Sequence, residues 1–179
     1  ELISRHRQDF SEIRRLCLIC HGLDFTTSSF SSGECRLKLS EGLEASLQNL
    51  LSSSLLNLAV AIRVNLYQGS IASPNIELPT SAWIYYDAEL IDRAATLKQV
   101  CDKIIHADTV AKPVLPAGMW GGDSKIAIQF KGVEFRKKAW TLNIVLERFA
   151  EDVLNLLDDI EARERENPLR NEVDSKEEA

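Results

Sequence analysis

The stretch Asp87–Asp108, DAELIDRAATLKQVCDKIIHAD, decides how this chain is expected to fold. Leu90, Ala94, Leu97, Cys101 and the pair Ile104 and Ile105 recur at steps of three and four, the spacing that gathers side chains onto one face of a helix. The whole stretch therefore reads as one amphipathic helix whose apolar side needs partners. Asp102 and His106 stand four apart on its other side, stacked neighbours on a helix, with Lys103 beside them.

Sequence on both sides supplies the partners. Upstream, Leu43, Leu47, Leu50, Leu51, Leu55, Leu58, Ile62 and Leu66 mark a long central helix from Leu39 to about Tyr67. Ser40 is its candidate N-cap, and Glu41 and Glu44 sit well in a first turn. Gly69, Pro74 and Pro79 then read as an extended connection. Nearer the start, Ile3, His6, Phe10, Ile13, Cys17 and Cys20 mark a helix from about Leu2 to about His21, with Gly22 as its stop and a Ser/Thr-rich loop over Asp24–Gly33.

Downstream, Lys112–Asp123 holds too many prolines and glycines for a helix. The period then changes to two. Ile126, Ile128 and Phe130 alternate with polar or small residues, Lys131-Gly132 offers a turn, and Trp140, Leu142 and Ile144 alternate again, which reads as a β-hairpin. A closing helix runs from about Leu146 to about Arg165 on Phe149, Val153, Leu156, Leu157 and Ile160, stopped by Pro168. The fold expected is mainly α: an antiparallel bundle of about four helices with one short β-hairpin before the last helix. Its core would gather Leu47, Leu51, Leu55, Leu58, Cys101, Ile104, Ile105, Val153 and Leu157. One helical domain would span residues 1–168, with residues 169–179 a charged, disordered tail.

Composition narrows the function classes. The 179 residues, 45% of them hydrophobic, suffice for one substantial core. A formal net charge of −6 argues against broad electrostatic capture of nucleic acid or anionic membrane, although most of the acidic excess lies beyond Glu147. The longest apolar candidate, Leu50–Val64, is interrupted by Ser52, Ser53, Ser54, Asn57 and Arg63, so no membrane span is expected. The start, ELISRHRQDF, has no apolar signal-peptide core, and the cytoplasm is the expected compartment.

Nucleotide-binding glycine loops, Gly-x-Ser-x-Gly and His-Glu-x-x-His are all absent from the sequence, which disfavours the common kinases and hydrolases. Cys17-Leu18-Ile19-Cys20-His21 matches the short c-type haem pattern, and Cys35 or His106 would complete a zinc set. Cys17, Cys20 and Cys101 nevertheless fall among apolar neighbours, as reduced core cysteines do, so neither metal nor cofactor is expected. Arg14 and Arg15 precede His21 by seven and six residues on one helix.

The helix order together with Cys101-Asp102-Lys103-Ile104-Ile105-His106-Ala107 resembles HEPN-like domains, helical modules of bacterial toxins, phage-defence proteins and RNA-processing factors. The resemblance implies a dimer and a metal-independent ribonuclease in which an arginine, a polar residue and a histidine share one helix. It covers the helices from about Leu39 to Asp108 and the last helix. Here Asp102 and His106 match the polar residue and the histidine, while Cys101 stands where the family has its arginine. Arg14 or Arg15 with His21 fits the spacing, on a helix where the family does not usually carry it.

Cleaving RNA without a metal requires a base for the 2′-hydroxyl proton and a cation for the charge that develops on phosphate. His106 would be that base, oriented by Asp102, and Lys103 the cation. The contrasting expectation is a non-catalytic oligomerisation or adaptor domain that binds a protein partner. The two differ in their surroundings: a basic cleft around Asp102, Lys103 and His106 suits RNA, whereas burial of these residues against Trp83, Tyr85 or Trp120 suits the adaptor.

Overall fold

A computed structural model describes residues 10–32, 36, 38–71, 75–86, 89–111, 127–134 and 138–166. Helix α1 covers Phe10–Ser32 and α2 covers Glu41–Tyr67; strands β1 (Ala82–Tyr86) and β2 (Glu89–Ala94) follow. Next come α3 (Leu97–Ile105), β3 (Thr109–Ala111), β4 (Ala127–Val133), β5 (Ala139–Val145) and α4 (Leu146–Glu166). The strands form one antiparallel sheet in the order β2-β1-β5-β4-β3.

This overturns the mainly α bundle with a single hairpin. The decisive stretch divides: Glu89–Ala94 is a strand, and only Leu97–Ile105 is helix. Two local causes act there. Ala82–Tyr86, with Trp83, Ile84, Tyr85 and Tyr86, is rich in strand-favouring residues and offers the segment that follows it an antiparallel partner. Thr96 then caps the helix reciprocally: its hydroxyl accepts from the Gln99 backbone N–H while the Gln99 side chain accepts from the Thr96 backbone N–H. A helix begun at Thr96 leaves residues 89–94 to the sheet.

The expected hairpin is present, with its turn displaced. Lys131 and Gly132 lie within β4, opposite Thr141 and Trp140, and the chain reverses between Val133 and Ala139. The first helix passes through Gly22 to Ser32, where a stop and a loop were expected. Its expected start near Leu2, the Pro- and Gly-rich stretch Lys112–Asp123 and the tail 169–179 lie outside the described residues.

A single core joins the helices to one sheet face. Ile84, Leu142, Ile144, Ile128 and Phe130 cluster with Leu58 and Ile62 of α2, Leu97 and Val100 of α3, and Phe149, Val153 and Leu157 of α4. Burying each such side chain favours folding by roughly 1.5–3 kcal/mol relative to leaving it in water. Of the expected core, Leu55, Leu58, Cys101, Ile104, Val153 and Leu157 are buried, while Leu47, Leu51 and Ile105 are half-buried. Helix α1 packs against α2 and α4, and α2 against α3. Ser81, just before β1, donates to Asp152 of α4 at 2.5 Å and ties sheet to helix.

Candidate functional site

Helix α3 sends its polar side chains in three directions. Asp102 turns toward α2, where Arg63 Nε lies 2.5 Å from Oδ1, and Lys98 Nζ lies 3.2 Å from Oδ2. The Arg63 and Asp102 side chains are each about a third exposed, so this pair sits at the rim of the α2–α3 seam.

Lys103 points the other way. It is 8% exposed, an unusual depth for a lysine, and its ammonium meets Glu134 at 2.5 Å. The same ammonium lies 4.5 Å from the centre of the Trp140 ring and 5.6 Å from that of Tyr86. The Tyr86 hydroxyl donates to Glu134 at 3.1 Å, and Lys138 covers the Tyr86 ring at 4.1 Å. Glu134 is consequently held below the usual carboxylate range, chiefly by the Lys103 hydrogen bond, with burial opposing and Tyr86 assisting.

His106 ends α3. Its backbone N–H donates to the Asp102 carbonyl at 3.1 Å, and its side chain is exposed. The three expected site residues therefore share a helix without converging. Asp102 answers to Arg63, Lys103 to Glu134 and two rings, and His106 faces solvent.

Arg63 and Glu134 are the participants that helical spacing did not name. Arg63 carried a readable signal: it is the one charged residue between Glu44 and the end of α2, and a charge in so apolar a helix asks for a counter-ion. Glu134 carried none, because its meeting with Lys103 depends on how the β4–β5 hairpin returns over α3.

Helix α1 disposes of its own candidates. Arg14 reaches Asp158 at 2.6 Å and Glu161 at 2.7 Å on α4, and these two hydrogen bonds push its pKa up. Arg15 pairs with Glu12 at 2.6 Å. Neither arginine joins His21, whose Nε2 stands 3.4 Å from Glu151 Oε1. Cys17 and Cys20 are fully buried in the core while His21 sits at the α1–α4 surface, so the Cys-x-x-Cys-His pattern is split between inside and outside. Burial pushes both thiols up to about 12, which keeps them protonated and poor ligands at neutral pH. Cys35, the other proposed zinc ligand, lies outside the described residues.

Helix α2 is long and apolar enough to cross a membrane on length and composition alone, with 39% of its most apolar window buried inside the protein. Comparison with protein-family models, with curated proteins and with solved structures returns no match. The fold defines an α+β domain, and the functional argument rests on its own surfaces.

Proposed function

We propose that this chain is a non-catalytic assembly module that pairs with a second copy of itself through α2. The observation that carries the reading is the outer face of that helix. Leu50, Leu56 and Val60 are 40–45% exposed and Tyr67 is 91% exposed, although each is large and apolar or aromatic. Leu43, Ser46, Leu50, Ser53, Asn57, Val60, Val64 and Tyr67 follow one another at alternating steps of three and four, the repeat of a helix–helix seam. No residue of the seam is charged.

A second copy fits this seam better than a charged partner does. Aligned antiparallel about Ser53, it sets Ser46 opposite Val60 and Leu50 opposite Leu56, so that exposed apolar side chains of one copy cover those of the other. The burial of Lys103 against Trp140 and Tyr86 supports the same reading, since it withdraws a cation from any phosphate.

Sedimentation equilibrium of the full chain tests the proposal. A dimer is expected, converting to monomer in Leu50→Glu/Val60→Glu with an unchanged circular-dichroism spectrum. A chain that stays monomeric at every concentration ends this reading, and flotation with lipid vesicles in place of dimerisation gives α2 to a membrane.

One observation favours a second reading, RNA cleavage of the HEPN kind. Arg63 brings from α2 a guanidinium that α3 lacks and pairs with Asp102, which precedes the exposed His106 by one turn of α3. In that reading His106 takes the 2′-hydroxyl proton and Arg63, in place of Lys103, stabilises the phosphate. Incubation of the protein with a labelled single-stranded RNA in chelator separates the two: cleavage lost in both His106→Ala and Arg63→Ala supports it, and an RNA left whole by the unaltered protein removes it.

A further inference from the structure

We propose that His21 of α1 and Glu147 and Glu151 of α4 form a binding site for a divalent transition-metal ion, a site independent of the assembly reading. Their ligand atoms all lie within 4.8 Å of one another. Glu147 and Glu151 are four apart on α4 and so project from one helix face, toward the residue of α1 that packs there.

One of the three spacings already matches coordination. Ligands held at roughly 2.0–2.2 Å by a tetrahedral ion stand about 3.4 Å from each other. His21 Nε2 and Glu151 Oε1 are 3.4 Å apart, so these two can hold an ion as they stand, while the Glu147 carboxylate, within 4.8 Å of both, closes on it by turning its side chain. The ring of Phe25, one turn along α1 at a centroid distance of 5.0 Å, packs against the imidazole and limits its rotation.

The donor set selects the ion. One imidazole nitrogen and two carboxylates suit zinc or its first-row neighbours, and the nitrogen disfavours calcium and magnesium, which take oxygen ligands. Three protein ligands leave a fourth position for water. The two carboxylates balance a divalent charge at the surface, so the ion is not an unpaired charge there. Nothing in this site involves the buried thiols of Cys17 and Cys20, one turn or less away in sequence.

Bound, the ion would clip α1 to α4 beside the ion pairs that Arg14 already makes with Asp158 and Glu161. The test titrates the full chain with zinc by calorimetry and with cobalt by visible absorption. One equivalent of zinc is expected, together with the intense cobalt bands of a four-coordinate site and a raised melting temperature. His21→Gln and Glu151→Gln should each weaken binding by about tenfold or more, the least that even outer-shell changes cost at metal sites. Cys17→Ala/Cys20→Ala should bind zinc as the parent does. Absence of saturable binding overturns the proposal, as does retention of full affinity in Glu151→Gln or its loss in the cysteine variant. Dimerisation is read separately, so failure here leaves the α2 seam standing.

Discussion

Lys103 is the residue on which the interior charge of this protein turns. Its ammonium is out of water, and the Glu134 carboxylate and two ring faces replace the lost hydration. Glu134→Gln keeps the shape and leaves the ammonium without its counter-charge. Because the Glu134 side chain is 42% exposed, solvent already screens the pair, and the expected loss is about 1–2 kcal/mol in urea unfolding, below the range for a fully buried pair. The pH dependence has a definite sign. A carboxyl whose folded pKa is depressed stabilises the fold above its unfolded pKa and loses that contribution as pH falls through the folded value. The parent should therefore lose stability below about pH 4.5 more steeply than Glu134→Gln, which has no such proton to take up. Equal acid slopes would show that the pair contributes nothing.

The thiols give a second prediction at this scale. Cys17, Cys20 and Cys101 are fully buried, and burial raises the pKa of each. Iodoacetamide at pH 8 should leave all three unmodified in the native protein and alkylate them in guanidinium chloride, as peptide mass spectrometry would read. Rapid native labelling of Cys17 or Cys20 would mean that the α1–α4 interface opens.

At the scale of elements, Gly132 couples the sheet to the end of α3. A Cβ there would overlap Cζ2 of Trp140, approach Cε2 of the same ring to 2.8 Å and come within 3.2 Å of the His106 carbonyl. Gly132→Ala should cost about 1–3 kcal/mol, the usual range for an overpacked core, and should disturb the cradle of Lys103 as well. A melting temperature equal to that of the parent would mean that Trp140 swings aside freely. This close approach explains why Lys131-Gly132, a turn by composition, lies inside β4: the glycine is there to make room for an indole.

Other elements were legible to different degrees. The stripes of α2 and α4 and the alternation around Phe130 and Leu142 are strong because each buries one side against a core. Helix α3 was legible from Leu97 onward by its apolar period, while its start, marked by the capping box of Thr96 and Gln99, went unread. Strand β2 was hidden because Leu90 and Ala94 continue the helical period of α3 by chance, and only the pairing with β1 decides between the two states. Of the site, the types and positions of Asp102, Lys103 and His106 could be read, but their partners could not. Arg63 and Glu134 arrive from elements distant in sequence.

For the whole molecule, self-association predicts a concentration dependence. If two copies share the α2 seam, mass action raises the melting temperature as protein concentration rises, and Leu50→Glu/Val60→Glu abolishes that rise. His106→Ala should change stability by less than about 0.5 kcal/mol under either reading, since an exposed side chain at a helix end gives up few contacts. A large drop would instead show that His106 is sequestered in the assembled protein. Measured at two concentrations, the same variant distinguishes a residue that faces solvent from one that faces a second chain.

Strand β5 passes into α4 between Val145 and Leu146 with no intervening loop. The third strand of the five and the last helix are thus joined directly, the strand flanked on both edges and the helix packed on α1. Such a joint has no loop of its own in which a hinge could sit. Amide protons of the first turn of α4 should exchange with solvent no faster than those of β5, through the same cooperative opening event. Motion that separates α1 from α4 must accordingly move α1, because α4 inherits the rigidity of the sheet.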